Sequence, residues 1–159
     1  TLLVHRLDRD ASGVMIFAQT EYAQRSLSMQ FEKRQVKKVY VARVFGVVTQ
    51  RIGLINLPLI VDWENRPRQM VCHETGKVAV TEWYKLSSNE NESRLRLVPK
   101  TGRSHQLRVH CMALGHPILG DPIYGKASSH CRMMLHSEEL RVNHPESGFG
   151  LRFRSKAPF

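Results

Sequence analysis

The amino-acid sequence predicts an α+β domain built on a largely antiparallel β-sheet. Segments rich in β-branched and aromatic residues recur along the chain, and two segments with helical periodicity lie between them. The two kinds of segment do not alternate strictly, as they would in a parallel βαβ fold. Because the chain has 159 residues and contains no repeat or low-complexity tract, we expect a single domain covering the whole sequence.

The first predicted helix follows Thr20. Threonine is a favourable N-cap, and Glu21 places an acidic side chain in the first turn. Ala23, Leu27 and Phe31 then recur every four residues, which puts them on one face of a helix that should continue to about residue 34. The spacing therefore predicts one amphipathic helix in the first quarter of the chain.

The second predicted helix begins after Ser104, another favourable N-cap. Leu107 and Cys111 recur at helical spacing, and Gly115 is a plausible stop signal beyond them. Trp83 lies in a segment of strand-like composition, and we expect its side chain in the core rather than stacked on a base. The predicted strands cover residues 13–18, 39–45, 53–57, 78–86, 95–98 and 132–136, with a shorter pair in the C-terminal tail.

The charge balance narrows the possible functions. Lysine and arginine number 24 against 14 aspartate and glutamate residues, which gives a formal net charge of +10. Such a surface suits RNA or DNA, because each neutralised phosphate releases counterions; acidic proteins and anionic membrane surfaces are also compatible with it. No apolar run approaches the roughly 18 residues that a membrane-spanning helix needs, so we expect no such helix in this sequence.

The cysteines indicate a reducing, cytoplasmic environment. Cys72, Cys111 and Cys131 are odd in number and include no close pair, whereas disulfide frameworks and zinc ribbons use paired cysteines. The chain opens on Thr1 rather than on methionine, and the first motif follows almost at once. We therefore expect that an N-terminal segment of the domain is missing.

The first candidate constellation is His5-Arg6-Leu7-Asp8. Asp8 stands two residues after Arg6 and next to Arg9, and neighbouring cations favour the ionised form of a carboxyl group. Asp8 is therefore a candidate nucleophile or general base. The same residues also suit an Asx-turn or a solvated ion pair, and the local sequence by itself favours that structural interpretation.

The second candidate constellation runs from Lys100 to His110. It contains a turn at Gly102 and several basic groups at the start of the second predicted helix. Backbone amides at a helix start, together with Arg103, can bind an RNA phosphate or a carboxylate; a capped surface helix with solvated charges is the alternative. A zinc site is disfavoured, because His105 and His110 are five positions apart and lie on different sides of a helix.

The order of three motifs resembles that of a known enzyme family. The motifs are HRLD at residues 5–8, YVARVFG at residues 40–46 and TGRSHQLRVH at residues 101–110. Together they are similar to the motif set of the RluA-type RNA pseudouridine synthases, and the similarity spans nearly the whole chain. Residues 58–67 and 74–77 resemble the short, dual-specificity members of that family.

The resemblance implies roles for individual residues. Asp8 would be the catalytic aspartate, Tyr40 the active-site tyrosine and Arg108 the ion-pair partner of Asp8. Arg6 would help to displace the target base and occupy its place, and Leu135 would pack near the uracil. Four further residues would support the site or contact the RNA: His5, Arg103, His105 and Gln106.

The resemblance also implies a fold and a reaction. The fold would be a mixed, mainly antiparallel central sheet with flanking helices and an active cleft across its middle. The reaction would convert specific uridines to pseudouridine in structured RNA, either a 23S ribosomal RNA hairpin or tRNA anticodon stem-loops. Because no external atom is added, we expect no metal or redox cofactor. We expect a cytoplasmic monomer that acts on RNA and does not enter membranes.

Two other functions remain open at the level of the sequence. A non-catalytic RNA-binding module on the same scaffold would have the same basic charge, and a metal-dependent nuclease or phosphoesterase would use the histidines. The chemical role of Asp8 is also open, because an ionised carboxylate could either attack the ribose or remove a sugar proton.

Overall fold

The computed structural model of the protein describes residues 1–126 and 130–159. Neither α-helix in this part of the chain is long and apolar enough to cross a bilayer. The strands and helices are β1 (Leu2–Leu3), β2 (Ser12–Gly13), β3 (Phe17–Ala18), α1 (Glu21–Glu32), β4 (Lys37–Phe45), β5 (Ile52–Asn56), β6 (Leu59–Val61), β7 (Gln69–Val71), β8 (Val80–Ser88), β9 (Glu92–Pro99), α2 (Gln106–Ala113), β10 (Leu135–Asn143) and β11 (Gly150–Arg154).

One sheet dominates the structure. Six strands lie side by side in the order β11-β10-β4-β9-β8-β5, and every neighbouring pair among them is antiparallel. The short strand β2 joins this sheet by pairing parallel to β10. The predicted α+β fold with a mixed, mainly antiparallel sheet is therefore confirmed.

The main core lies on the face of the sheet that α2 covers. Side chains of a strand alternate between the two faces, and Leu95 and Leu97 of β9 both point to this side, where they are fully buried. They pack with Trp83, which is 2% exposed, and with Leu107 and Cys111 of α2. The prediction that Trp83 belongs to the core is confirmed.

The first helix agrees with the sequence pattern. The Thr20 side chain accepts a hydrogen bond from the backbone N–H of Ala23 at 3.1 Å, as an N-cap does. Helix α1 ends at Glu32, two residues before the expected end. Its apolar face carries Leu27 and Phe31, which pack against Leu140 of β10 and neighbouring side chains.

The second helix starts later than predicted, and Ser104 is not its N-cap. The N-cap is His105, whose backbone has a left-handed conformation with a φ of 55°. The reason lies in Gln106, because its side-chain oxygen accepts the Arg103 N–H at 3.1 Å and the Thr101 hydroxyl at 2.6 Å. This side chain folds the preceding loop back onto the helix start and replaces a serine cap.

The predicted strand at residues 13–18 is wrong in extent. It is split into β2, which pairs with β10, and β3, which pairs with β1. Between them the backbone N–H of Ile16 donates to the His5 side chain at 2.9 Å rather than to a strand carbonyl. The strand expected at residues 132–136 begins at Leu135, although Met133 and Met134 before it are also buried.

Strands β6 and β7 were not predicted. Each has only three residues, and they pair with each other outside the main sheet. A period of two cannot be recognised over so short a segment.

Gly13 sets how closely the loop of residues 8–14 approaches the sheet. Its φ is +120°, a conformation that side chains with a Cβ rarely adopt, and an added Cβ would lie 2.2 Å from the Ser137 carbonyl oxygen. The next residue, Val14, donates its N–H to the same carbonyl at 2.8 Å. Only glycine permits this contact, which anchors residues 8–14 to β10.

Candidate active site

The predicted site residues meet at one cleft. A cavity of about 490 Å³ lies between the loop that follows β1, the start of β4 and the loop that precedes α2. Arg108 lies beneath this cavity, in the first turn of α2. The other eight line its wall: His5, Arg6, Asp8, Tyr40, Arg103, His105, Gln106 and Leu135.

The wall of the cleft is strongly basic. Asp8 is the one carboxylate among the described residues that line it. A cavity with this charge attracts a phosphodiester backbone. Its single carboxylate then lies close to the nucleotide that this backbone brings into the cleft. Five cationic residues surround it: Arg6, Arg34, Lys38, Lys100 and Arg103.

Asp8 sits in a short turn at the mouth of the cleft. Its carbonyl oxygen accepts the Ala11 N–H at 3.0 Å, which closes the turn. The side chain is 28% exposed, and one of its oxygens lies 3.5 Å from the Nη1 atom of Arg108. The carboxylate is therefore held from behind and open to a ligand in front.

Arg108 makes its stronger ion pair with Asp121. Its Nε and Nη2 atoms donate to the two Asp121 oxygens, both at 2.8 Å, and the Asp121 side chain is fully buried. Only Nη1 remains for Asp8, at the longer distance of 3.5 Å. The implied Arg108–Asp8 pair is present, but it is the weaker half of a three-residue cluster.

Two further contacts fix Asp121. One of its oxygens also accepts the backbone N–H groups of Ile123 and Tyr124, at 2.9 and 3.1 Å. Burial by itself raises the pKa of Asp121, but the hydrogen bonds from Arg108 and from these amides outweigh burial and lower the pKa below its ordinary value. Asp121 is thus a charged, immobile anchor for Arg108.

Tyr40 is a protonated phenol next to Asp8. Burial raises the pKa of Tyr40 to about 12, the negative charge of Asp8 adds to the increase, and a hydrogen bond with Ser137 opposes it. Because β4 places Tyr40 on the same face as Lys38, both side chains reach the cleft. The phenol is therefore protonated at neutral pH and can donate or relay a proton there.

Gln106 organises the floor behind the cleft. Its amide nitrogen donates to the Val80 carbonyl and to the Thr81 hydroxyl, both at 3.0 Å. The Thr81 hydroxyl in turn contacts His110 Nδ1 at 2.8 Å, and His110 Nε2 contacts the Leu57 carbonyl at 2.9 Å. Gln106 is buried, so its side chain holds the neighbouring loop and strand in place and does not face bulk solvent.

His5 is a neutral side chain that ties the loop carrying Asp8 to its surroundings. Its ring stacks on Phe31 with 4.5 Å between the ring centres, and its Nε2 atom accepts the Ile16 N–H. Burial, with a smaller contribution from the positive charge of Lys38, lowers the pKa of His5 to about 4. His5 therefore accepts a hydrogen bond in its neutral form.

His105 faces Tyr124 across the end of the cleft. The Tyr124 hydroxyl accepts the Gln69 backbone N–H at 2.8 Å and lies within hydrogen-bond distance of His105 Nδ1, at 2.6 Å. Burial, followed by the charge of Arg108, lowers the pKa of His105. The neutral form of His105 is thus favoured.

The three remaining predicted residues differ in exposure. Arg6 is exposed and extends over the cleft. Arg103 donates from Nε to the Val78 carbonyl at 2.8 Å, which orients the rest of its guanidinium. Leu135 is 2% exposed and forms an apolar part of the wall.

A metal centre finds no support in the described residues. No group of three or more histidine, cysteine, aspartate or glutamate side chains is arranged to hold a metal ion in residues 1–126 and 130–159. Both ring nitrogens of His110 are engaged by Thr81 and Leu57. The five-residue spacing of His105 and His110 thus serves two separate hydrogen-bond networks.

Sequence reasoning missed three residues of the site. Lys38 could have been found, because it lies two positions before Tyr40, directly ahead of the strand predicted at residues 39–45, and shares the face of Tyr40 once the strand is extended by one residue. Asp121 and Tyr124 lie in a loop, where no periodicity points to them. Their function depends on Arg108, which they contact across 13 and 16 positions of sequence.

Comparisons with known proteins agree with this geometry. Residues 1–113 match the family model described as RNA pseudouridylate synthase. The chain is 51% identical to the dual-specificity RNA pseudouridine synthase RluA of Yersinia pestis over 98% of its length and 78% of that protein. It is 50% identical to RluA of Escherichia coli strain K12, with 98% and 73% coverage.

Solved structures give the same result. The human RNA pseudouridylate synthase domain containing 1 superposes with a TM-score of 0.87 at 32% identity, covering 99% of this chain and 69% of that one. The human RNA pseudouridylate synthase domain containing 4 has a TM-score of 0.82 at 27% identity, covering 99% and 71%. The chain belongs to the RNA pseudouridylate synthase family.

Proposed function

We propose that this protein is an isomerase that converts uridines of structured RNA to pseudouridine, with Asp8 as the catalytic carboxylate. The observation that carries the proposal is the position of Asp8. It is the carboxylate of a basic cleft, it is backed by Arg108 at 3.5 Å, and its charge acts on Tyr40. The family to which the chain belongs supports the reaction class.

The reaction breaks the bond between uracil N1 and ribose C1′ and forms a bond between C5 and C1′. The proton on C5 leaves, and N1 gains a proton, so substrate and product are isomers. The target base must first leave its stack, which costs a few kcal/mol that contacts with the protein must offset. Arg6 extends over the cleft and can occupy the space the base leaves.

Asp8 supplies the ionised group at the sugar, either as a nucleophile at C1′ or as a base on the ribose. Arg108 orients this carboxylate without enclosing it, because two of its nitrogens are committed to Asp121. Tyr40 stands beside Asp8 as the relay for the C5 proton. Leu135 provides an apolar surface for the detached uracil.

For the substrate, we propose a stem-loop whose target uridine is unpaired, as the resemblance to dual-specificity enzymes suggests. A flipped base is read by shape and stacking, and the basic wall accepts the flanking phosphates. We further propose that the protein acts as a cytoplasmic monomer. All three cysteines are free, as suits a reducing compartment.

A tritium-release assay tests the proposed function. RNA transcripts carrying uridine labelled at C5, including tRNA anticodon stem-loops, are incubated with the protein in the presence of a chelator. An isomerase releases tritium to water without cleaving the RNA. Binding without release would indicate a non-catalytic RNA-binding module, and chelator-sensitive strand cleavage would indicate a metal-dependent nuclease; either outcome overturns the proposal.

A further inference from the structure

A second basic groove lies on the sheet face opposite the cleft. Tyr40 and Lys38 of β4 point into the cleft, whereas Lys37 and Val39 of the same strand line this groove, since successive side chains of a strand alternate between faces. Its volume is about 280 Å³. We call it the back groove; its cations are Lys37, Arg96, Lys100, Arg141, Arg152 and Arg154.

The register of the sheet aligns three of these cations. Arg152 of β11 lies directly opposite Arg141 of β10, and Arg141 lies directly opposite Lys37 of β4. Like charges in directly opposite positions destabilise a sheet. Ion pairs with Glu139 relieve this repulsion only in part, whereas a polyanion bound across the three strands would neutralise the whole row.

Glu139 arranges the arginines of the groove. It is 6% exposed and pairs with Arg141 at 3.2 Å, with Arg154 at 3.6 Å and with Arg152. One carboxylate cannot neutralise three guanidinium groups, so the cluster keeps a positive charge. Glu82 and Glu138 also line the groove, which leaves six cations against three carboxylates. The guanidinium groups are held in place before any ligand arrives.

Two cations of the groove have no ion-pair partner among the residues that the structure describes. Lys37 and Arg96 make no ion pair there. Arg96 lies opposite Tyr84 of β8 in the register, and Tyr84 is 37% exposed. A cation beside an exposed aromatic ring on a sheet is a platform on which single-stranded RNA bases stack while the backbone is neutralised.

Lys100 connects the two basic surfaces. It follows β9 directly and lines both the cleft and the back groove. An RNA strand that leaves the cleft past the end of β9 therefore meets the Lys100 ammonium, which also pairs with Glu82 at 3.5 Å, before it reaches the groove. Neighbouring strands are about 4.8 Å apart, so an RNA strand that crosses the groove covers only a short distance.

We propose that the back groove binds the phosphate backbone of the single-stranded RNA that flanks the modified stem-loop. The inference rests on the proposed function, since it concerns the same substrate. It assigns the front face of the sheet to the target uridine and the back face to the RNA leading away from it. Affinity for long RNA would thus come from both faces.

The test compares two double variants of the chain that change the net charge equally. Lys37→Glu with Arg96→Glu removes the two unpaired cations of the groove, and no buried partner loses its ion pair. Arg25→Glu with Arg51→Glu changes exposed arginines outside both surfaces. Two RNA probes are used: a tRNA anticodon stem-loop, and the same stem-loop with a single-stranded extension of about 16 nucleotides on either side.

We expect the groove variant to bind the extended RNA about tenfold more weakly than the control variant, and to bind the short stem-loop equally well. For the extended RNA, the slope of log K against log salt should be less steep by about 1.4 in the groove variant. Each phosphate contact with a single strand contributes about 0.7 to this slope, and the variant removes two cations. Tritium release from the short stem-loop at saturation should be unchanged.

If both variants bind the extended RNA as tightly as the unmodified protein does, the inference is overturned and the surface is left to a partner other than RNA. An equal loss in both variants would also overturn it, because the effect would then be one of net charge alone. The binding comparison does not require turnover. Absence of tritium release from the unmodified protein would therefore refute the proposed function without deciding the role of the groove.

Discussion

Arg108 and Asp121 form a bidentate ion pair in which both nitrogen–oxygen distances are 2.8 Å. The guanidinium is 3% exposed and the carboxylate is completely buried. Only the third nitrogen reaches Asp8. The three charges sum to minus one, so Asp8 keeps much of its negative charge for the substrate while its position is fixed.

Loss of Asp121 should therefore affect both stability and turnover. We expect Asp121→Ala to lower the free energy of unfolding by about 3–5 kcal/mol, because it leaves a buried guanidinium without its main partner. Asp121→Asn preserves the shape and should destabilise less, yet it frees Arg108 to close on Asp8 and should reduce kcat. Urea denaturation and tritium release measure the two effects, with the exposed Glu90→Gln as control. Unchanged stability and turnover in Asp121→Asn would contradict the assignment.

Asp8→Asn should abolish tritium release while RNA affinity stays within about twofold, because the lost charge acts in the transition state rather than in binding. Asp8→Ala should do the same. The matched control is Asp10→Asn, which removes a nearby exposed carboxylate that does not line the cleft. Turnover by either Asp8 variant at the rate of the control would remove the central assignment.

Tyr40→Phe should lower kcat by about 10²-fold or more, the range for loss of a proton-transfer group, with little change in RNA affinity. Since burial raises the pKa of Tyr40 to about 12, the pH profile of the unmodified enzyme should show no loss of activity from this phenol below pH 10. Tyr22→Phe, at a residue 60% exposed, is the control. A Tyr40→Phe variant with normal kcat would exclude the tyrosine as the proton relay.

Stability should fall as the pH is lowered through the weakly acidic range. The pKa of His5 is lowered from 6.5 to about 4 by burial and by the charge of Lys38. Between these values the unfolded chain binds a proton that the folded chain does not, so the free energy of unfolding decreases as the pH falls from 6.5 towards 4. The lowered pKa values of His105 and His110 act in the same direction.

The contribution of His5 can be isolated with His5→Phe, which retains an aromatic ring for Phe31 but cannot titrate. We expect a smaller loss of stability between pH 7 and pH 5 in this variant than in the control His73→Gln, measured by urea denaturation at each pH. The same pH dependence in both variants would show that protonation of His5 does not contribute.

The described structure also indicates how far sequence reasoning reaches. Helix α1 and strand β4 were predicted closely, because a cap or a β-branched run and a long periodic pattern define them locally. Residues 13–18 were predicted as one strand, but β2 and β3 pair with different strands that are distant in sequence. The choice between partners depends on the assembled sheet and cannot be made from the segment alone.

The candidate site likewise combines residues that the sequence identifies with contacts that only the folded chain creates. Asp8, Tyr40 and the basic run around Arg103 stand in motifs that local sequence and family resemblance identify. The start of α2 was misplaced, because Gln106 bonds to Thr101 and Arg103 and so replaces the expected serine cap. This contact depends on how the loop folds back, which residue preferences do not encode.

The sequence by itself determined the motifs, their order, the basic charge and the class of fold, since each follows from residue identity and short-range periodicity. The tertiary structure alone decided that Arg108 commits two nitrogens to Asp121 and one to Asp8, which lies 100 positions away. It also decided which cations share the back face of the sheet. Both depend on strand pairing and on the burial of charge, which arise only when distant segments meet.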